Sequence, residues 1–130
     1  TLTNFFYNKM IARQTLQLHA NSCRYLIGIE DVVQIISLIL AKNIFSNEII
    51  NIVFNNKIKV IDLVKIFEKI LRIKVHITMM NKGDCYEVDN SKIASNLKEI
   101  NFNKDENYNF NLIKKYYDTD KVLKISALKK

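Results

Sequence analysis

The chain has 130 residues, of which 48% are hydrophobic and 25% are charged. This length supports one domain, and the apolar content is too high for a disordered segment. No stretch approaches the roughly 20 apolar residues of a membrane-spanning helix. Lys and Arg residues exceed Asp and Glu residues by 20 to 13, which gives a net charge of +7. Because the cations are scattered, we expect a solvated basic surface with local phosphate contacts, and a nucleic-acid partner is the least favoured alternative.

The two cysteines, Cys23 and Cys85, lie far apart in the sequence. They form no C-x-x-C pair, so we predict free thiols with neither a disulfide framework nor a zinc site. Free thiols fit a reducing compartment, and the N-terminus shows no recognisable signal peptide. We therefore expect a cytoplasmic protein. Because the chain begins at Thr1, we also expect either an upstream segment that was removed or a larger parent protein.

The first half of the chain predicts strands alternating with helices. Alternating or β-branched residues predict strands over 16–20, 23–29 and 48–54, the last one buried on both faces. A first helix is predicted over residues 3–14, with Thr3 as its N-cap. A second helix is predicted to begin at Glu30 and end near residue 42, since acidic residues favour a helix N-terminus.

The second half begins with a clear amphipathic helix. Its apolar positions follow helical spacing and are Val60, Leu63, Val64, Phe67, Ile70 and Leu71. Further elements are predicted as a strand over 74–79, a short extended piece over 86–88, a helix starting within 89–91 and a last helix over about 109–118. The predicted class is mixed α/β. We expect one domain over residues 1–118 and a basic tail or helix extension over residues 119–130.

Several segments resemble, in order, motifs from the second half of extended short-chain dehydrogenases/reductases, the NAD(P)-dependent epimerases and dehydratases of nucleotide sugars. Residues 23–33 (CRYLIGIEDVV) resemble their R-x-[FY]-[IL]-x-[VI]-x-D-[VL] signature. The other matches are Asn51 in the "vYNIG" strand, residues 60–64 in the next helix, residues 83–93 around Gly-Asp and Asp-x-Ser-Lys, and residues 112–117 in the terminal helix. Together they cover roughly residues 3–118.

The resemblance implies the substrate-binding half of such an enzyme, without its N-terminal dinucleotide-binding (Rossmann) half. A dinucleotide-binding turn needs three closely spaced glycines, whereas this chain has two glycines, Gly28 and Gly83. We also expect the family's catalytic Tyr-x-x-x-Lys pair to be absent. The chain is therefore predicted to bind no cofactor itself and to hold no catalytic residue, with NAD or NADP bound in the complete enzyme.

The resemblance also implies which residues bind substrate. Arg24 would grip the diphosphate through paired hydrogen bonds, with an ion pair to Glu30 or Asp31 as the structural alternative. Lys82 would be a second phosphate contact, less directional than an arginine. The remaining candidates are His19 and Gln17 for the base, Tyr86 for a sugar or phosphate oxygen, and Asn56 for the base. The alternative for His19 is a structural or exposed strand residue, and the alternative for Lys82 is a turn lysine in solvent.

Two aspartates are interpreted structurally. Asp31 and Asp89 stand at predicted helix starts, where a carboxylate accepts backbone N–H bonds. They are not spaced as a general acid/base pair, and no metal-ligand cluster surrounds them, so no metal site is predicted.

The expected partners follow from the resemblance. They are a nucleoside diphosphate sugar, the missing Rossmann half or a partner chain, and a second copy in a homodimer. No membrane partner is expected. The predicted function is the substrate-binding portion of an epimerase, dehydratase or reductase; a free-standing nucleotide-sugar-binding module is the alternative.

Overall fold

The computed structural model describes residues 1–118, and the predicted tail 119–130 lies outside them. Helices and strands alternate, which confirms the mixed α/β class. The helices are α1 (Leu2–Ile11), α2 (Ile29–Lys42), α3 (Val60–Leu71), α4 (Ser91–Asn96) and α5 (Asn107–Tyr117). The strands are β1 (Leu16–His19), β2 (Cys23–Arg24), β3 (Ile58–Lys59) and β4 (Ile77–Met80).

The four strands form two small pairs. Strands β1 and β4 are parallel, with Leu16 opposite Ile77 and His19 opposite Met80. Strands β2 and β3 are antiparallel. Because parallel strands end on the same side, the turns that follow β1 and β4 meet there. The backbone N–H of Asn21 donates to the carbonyl of Lys82 at 3.1 Å and closes this contact.

Apolar side chains form two clusters. The larger joins α1, α3 and α5, with the Phe6 ring meeting the Phe67 ring edge-on at 6.4 Å. The amphipathic helix predicted from residue 60 is confirmed, and its buried members are Val60, Leu63, Val64, Phe67 and Leu71. The smaller cluster consists of Ile35, Phe54, Ile93, Leu97 and Phe102.

Two predictions in the N-terminal region were wrong in detail. Thr1, not Thr3, caps α1, because the Thr1 hydroxyl accepts the N–H of Asn4 at 3.4 Å. The strand predicted over 23–29 is only Cys23–Arg24. Beyond it, backbone groups bond to side chains rather than to a neighbouring strand: Gly28 N–H donates to the Tyr108 hydroxyl at 2.9 Å.

The buried strand predicted over 48–54 is not formed. Among the described residues no strand pairs with this segment, which is tied instead by side-chain amides. Asn51 donates to the carbonyl of Asp89 at 3.0 Å, and Asn90 donates to that of Val53 at 2.8 Å. Residues 86–88 are likewise outside any strand. An apolar, β-branched segment without a partner strand is open to edge-on pairing.

The later helices depart from their predicted bounds at the ends only. Helix α4 starts at Ser91, within the predicted range, and stops at Asn96, with Ile93 and the following Leu97 both buried. Helix α5 starts at Asn107, slightly before the predicted position. None of the helices within residues 1–118 has the length and apolarity to cross a membrane.

The prediction of free thiols was wrong. Cys23 and Cys85 form a disulfide, with their Cα atoms 4.8 Å apart although 62 residues separate them along the chain. The spacing of the two cysteines in the sequence does not indicate that they come together. They do so because the turns after β1 and β4 lie against each other. The bond joins β2 to residues 81–88.

Candidate functional site

Arg24 ends β2 with its side chain exposed. Its Nη1 donates to the carbonyl of Cys23 at 2.6 Å. The alternative ion pairs are not formed, because Glu30 bonds Lys115 at 2.5 Å and Asp31 accepts the Tyr108 hydroxyl at 2.7 Å. Within residues 1–118 the guanidinium has no carboxylate partner, so its remaining N–H groups can donate to an anion.

A cleft of about 180 Å³ brings three of the predicted site residues together. Gln17 and His19 alternate with the buried Leu16 and Leu18 along β1, so both project to the exposed face. Arg24 lines the same cleft, whose other walls include Leu2, Phe5, Phe6, Leu18, Ser22 and Val60. The cleft therefore combines an apolar wall with amide, imidazole and guanidinium groups.

Arg24 also lines a second pocket, of about 240 Å³. The lining of this pocket includes Tyr86, Tyr25 and Val53. Tyr86 is 66% exposed. Arg24 thus borders both the cleft with Gln17 and His19 and the pocket with Tyr86.

Lys82 is exposed on the turn after β4, and its own N–H donates to the carbonyl of Met80 at 2.8 Å. The next residue, Gly83, has φ +90°, a conformation that favours glycine. A Cβ at this position would lie 2.1 Å from the Ser22 hydroxyl oxygen and 2.9 Å from the Cβ of His19. The turn carrying Lys82 is therefore packed directly against the turn that carries His19 and leads to Arg24.

Sequence reasoning missed two features of this region. Phe5 is 47% exposed and lines the cleft beside His19, whereas the adjacent Phe6 is buried. Adjacent residues in a helix lie on different faces, so the sequence already indicates that Phe5 and Phe6 do not share the buried face of α1. The second feature is the hydroxyl of Tyr25, which donates to Glu87 at 3.0 Å and accepts the N–H of Val88 at 3.3 Å. Only the tertiary structure reveals it.

Asn56 does not lie with the other candidates. It is 7% exposed, and its amide nitrogen donates to the carbonyl of Leu26 at 2.7 Å and to Oδ1 of Asn109 at 2.9 Å. Asn109 in turn donates to the backbone carbonyl of Asn56 at 3.1 Å. The side chain braces α5 against the loop after β2, so it is not carried into the site proposed below.

The two aspartates have internal partners, as expected of structural residues. Asp89 accepts the N–H of Ser91 at 2.8 Å, and this bond holds the pKa of Asp89 below its usual value. Asp31, in the first turn of α2, accepts the hydroxyl of Tyr108 at 2.7 Å. Burial, and then the bond to Asp31, raise the pKa of Tyr108 well above its ordinary value. No group of three or more His, Cys, Asp or Glu side chains in residues 1–118 could hold a metal ion.

The expectation that no Tyr-x-x-x-Lys spacing occurs was wrong, because Tyr117 and Lys121 stand four residues apart. Lys121 lies outside the described residues. The Tyr117 hydroxyl donates to Thr3 at 3.0 Å and to Asn4, and its ring packs edge-on against Phe67 at 5.1 Å. These contacts give Tyr117 a structural role in fastening α5 to α1.

The described residues do not fit a dinucleotide cofactor. Binding its pyrophosphate requires several closely spaced glycines between a strand and a helix. Gly28 precedes α2, but Gly83 lies in another turn, and the chain has no other glycine.

Helix α2 presents an apolar stripe to solvent. Its exposed members follow the spacing of one helix face and are Ile29, Val33, Ile36 and Leu40. Leu40 is 74% exposed, and Ile49 in the neighbouring unpaired segment is 97% exposed. Exposed apolar side chains in a helical stripe are typical of surfaces that contact other proteins.

The sequence matches no protein-family model and no curated protein. Solved structures do match. UDP-glucuronic acid 4-epimerase from Bacillus cereus, in complex with NAD, matches with a TM-score of 0.68 at 19% identity over 95% of this chain. UDP-N-acetylglucosamine 4-epimerase from Bacillus cereus matches with a TM-score of 0.61 at 17% identity over 88% of this chain. dTDP-glucose 4,6-dehydratase from Bacillus anthracis, in complex with NAD, matches with a TM-score of 0.66 at 16% identity over 93% of this chain.

The chain spans only about two fifths of those proteins, namely 39%, 39% and 40% of their respective lengths. At these identities the similarity concerns the fold. It confirms the resemblance drawn from the motifs at the level of the fold: the chain has the fold of one part of these two epimerases and this dehydratase.

Proposed function

We propose that this chain binds the nucleoside diphosphate of a nucleotide sugar and is the substrate-binding portion of an epimerase, dehydratase or reductase. One observation carries the proposal. Arg24, exposed and without a carboxylate partner among the described residues, borders both open spaces in a fold shared with enzymes named for UDP and dTDP sugars.

The diphosphate is assigned to Arg24 and Lys82. A guanidinium donates two parallel hydrogen bonds to a phosphate, and a lysine adds a point charge without fixed direction. The bond from the N–H of Asn21 to the carbonyl of Lys82 ties the lysine's turn to the chain segment that leads into β2. Both cations therefore stand on segments whose backbones are fastened together.

The base is assigned to the cleft beside β1. Phe5 and His19 offer ring faces against which a base can stack, and Gln17 offers both a donor and an acceptor. Sugar or phosphate oxygens are assigned to the second pocket that Arg24 lines, where the Tyr86 hydroxyl can donate to them. The substrate would thus pass over Arg24, with its base in the cleft and its sugar in the second pocket.

We further propose that a dinucleotide-binding half, in the same chain or a separate one, covers the apolar face of α2 and pairs with the segment 48–54. The exposed stripe on α2 and the unpaired, β-branched segment support this partner. Two of the matching enzymes hold NAD and are about two and a half times as long as this chain. In the complete enzyme NAD or NADP would act from that half. The cytoplasmic location stays a prediction.

Calorimetric titration with UDP tests the assignment. Replacing Arg24 by Ala is expected to weaken UDP binding about ten- to hundredfold, since hydrogen bonds to charged groups are the strong ones. Arg24→Lys should retain part of the affinity. Arg72→Asn is the matched control: it removes an arginine at the C-terminal end of α3, a helix about 18 Å long, and Asn tolerates the left-handed conformation there.

Equal UDP affinity in wild type and Arg24→Ala would overturn the role of Arg24. Absence of UDP binding by the folded wild-type chain would overturn the proposed function. A free-standing binding module would bind UDP with full affinity and would gain nothing from a dinucleotide-binding half taken from a related epimerase.

A further inference from the structure

The Cys23–Cys85 disulfide joins two parts of the proposed site. Cys23 directly precedes Arg24, and Cys85 directly precedes Tyr86. The bond therefore places the proposed phosphate-binding arginine and the proposed sugar-side tyrosine one residue away from each end of the same covalent link.

The loop of residues 81–88, which contains Cys85, is hydrogen-bonded to the rest of the described chain near both of its ends but not in its middle. On one side, the carbonyl of Lys82 accepts the N–H of Asn21 at 3.1 Å. On the other, the N–H of Val88 donates to the Tyr25 hydroxyl at 3.3 Å, and Glu87 bonds Tyr25 and Lys57. Residues 84–86 are exposed, and within the described part of the chain the disulfide holds them to the rest of the fold without any added hydrogen bond or ion pair.

We propose that this disulfide is a redox latch on the nucleotide site: closed, it holds Tyr86 beside Arg24; opened by a thiol reductant, it frees residues 84–86 and weakens binding of the nucleoside diphosphate. The proposal rests on the function proposed above, whose site it would regulate.

The chemistry is thiol–disulfide exchange with a small dithiol. Cys85 is exposed and Cys23 is buried, so the incoming thiolate attacks the sulfur of Cys85. The bond to Cys23 breaks, and the Cys23 sulfur leaves with the electron pair and takes up a proton. The second thiol of the reductant then displaces Cys85 and closes its own disulfide. Two electrons and two protons pass from the dithiol to the protein, and an oxidised dithiol reverses the exchange.

Opening the latch is expected to leave Arg24 and its strand in place. Strand β2 stays paired with β3, and Val60 N–H still donates to the carbonyl of Ser22 at 3.0 Å. The reduced chain should therefore lose only the part of the binding free energy that the Tyr86 contact contributes. Losing one net hydrogen bond weakens binding about three- to tenfold, less than the loss expected for Arg24→Ala.

The test is UDP affinity measured on the whole chain, once oxidised and once reduced with dithiothreitol. The latch predicts about three- to tenfold weaker binding after reduction. The control, Cys23→Ser with Cys85→Ser, should bind like the reduced wild type whether or not dithiothreitol is present. Equal affinity in the oxidised and reduced wild type would overturn the latch and leave the proposed function standing.

Nuclear magnetic resonance relaxation supplies a readout that needs no ligand. Reduction is expected to lower the backbone order parameters of residues 84–86, while those of β1 remain as before. Unchanged order parameters in 84–86 would overturn the latch even if no UDP bound. Failure of both forms to bind UDP, with lowered order parameters, would overturn the proposed function and with it the regulatory role, while retaining the bond as the tether of the loop.

Discussion

Gly83 packs against Ser22 with no room for a side chain at residue 83: a Cβ there would stand 2.1 Å from the Ser22 hydroxyl oxygen. The turn after β4 and the turn after β1 are thereby packed together, although Ser22 and Gly83 are 61 positions apart in the sequence. This contact is what brings Lys82 close to His19 and Arg24.

Replacing Gly83 by Ala should cost about 1–3 kcal/mol of unfolding free energy, because its φ of +90° is strained for any side chain and the new Cβ collides with Ser22. Urea denaturation measures the loss. Adding Ser22→Ala removes the hydroxyl oxygen from the collision but not the backbone strain. The double variant should therefore recover part of the stability, and full recovery would show that φ is unimportant here.

Reducing the disulfide should lower the stability of the chain. Opening a loop of 62 residues in the unfolded state corresponds to about 4 kcal/mol in the loop-entropy model. Urea denaturation with and without dithiothreitol gives the difference. The variant with both cysteines replaced by Ser should show no effect of the reductant, and a wild type equally stable in both conditions would contradict a formed bond.

Tyr108 should make stability fall at alkaline pH. Its pKa is raised in the folded chain, chiefly by burial and the bond to Asp31, so the folded state holds its proton where the unfolded state has lost it. The contribution is therefore complete below the ordinary pKa of 10.0 and is lost as pH rises through the raised value.

The comparison is with Tyr108→Phe, which removes both the titration and the bonds to Asp31 and Gly28. The variant should be less stable by about 1–3 kcal/mol at neutral pH, because Asp31 and the Gly28 N–H lose their partner. The difference in unfolding free energy between wild type and variant should shrink above pH 10. A gap that is constant up to pH 11 would contradict the raised pKa.

Asn56→Ala should destabilise the fold without changing nucleotide affinity. Its amide satisfies the carbonyl of Leu26 and the side chain of Asn109 inside the protein, and leaving such groups unpaired costs about 1–3 kcal/mol. Thermal melting reports the loss, and UDP titration below the melting temperature reports the affinity. A marked loss of affinity in the folded variant would restore Asn56 as a ligand.

Local periodicity was sufficient to predict the helices and β1. The spacing from Val60 to Leu71 encodes its buried face directly, and Gln17 and His19 were correctly paired because strand residues two apart share a face. Motif order along the chain was sufficient for the fold resemblance. These features depend on residues that are close together in the sequence, so one sequence is enough to recognise them.

What depended on long-range contacts was not predictable. The 48–54 strand failed because a strand needs a partner, and none exists within residues 1–118. The Cys23–Cys85 bond was missed because its two ends meet only once β1 and β4 pair. The internal bonding of Asn56 was not foreseen because burial of its amide follows from the docking of α5, which nothing near Asn56 in the sequence indicates.

The most direct measurement of the central claim is a nuclear magnetic resonance titration of the isotopically labelled oxidised chain with UDP. We predict shift changes concentrated at Gln17, His19, Arg24, Lys82 and Tyr86, with Asn56 and the exposed face of α2 unaffected. Uridine, which lacks the diphosphate, should perturb the β1 residues more than Arg24. Shift changes centred elsewhere on the chain, or none at millimolar UDP, would contradict the assignment of this surface to a nucleoside diphosphate.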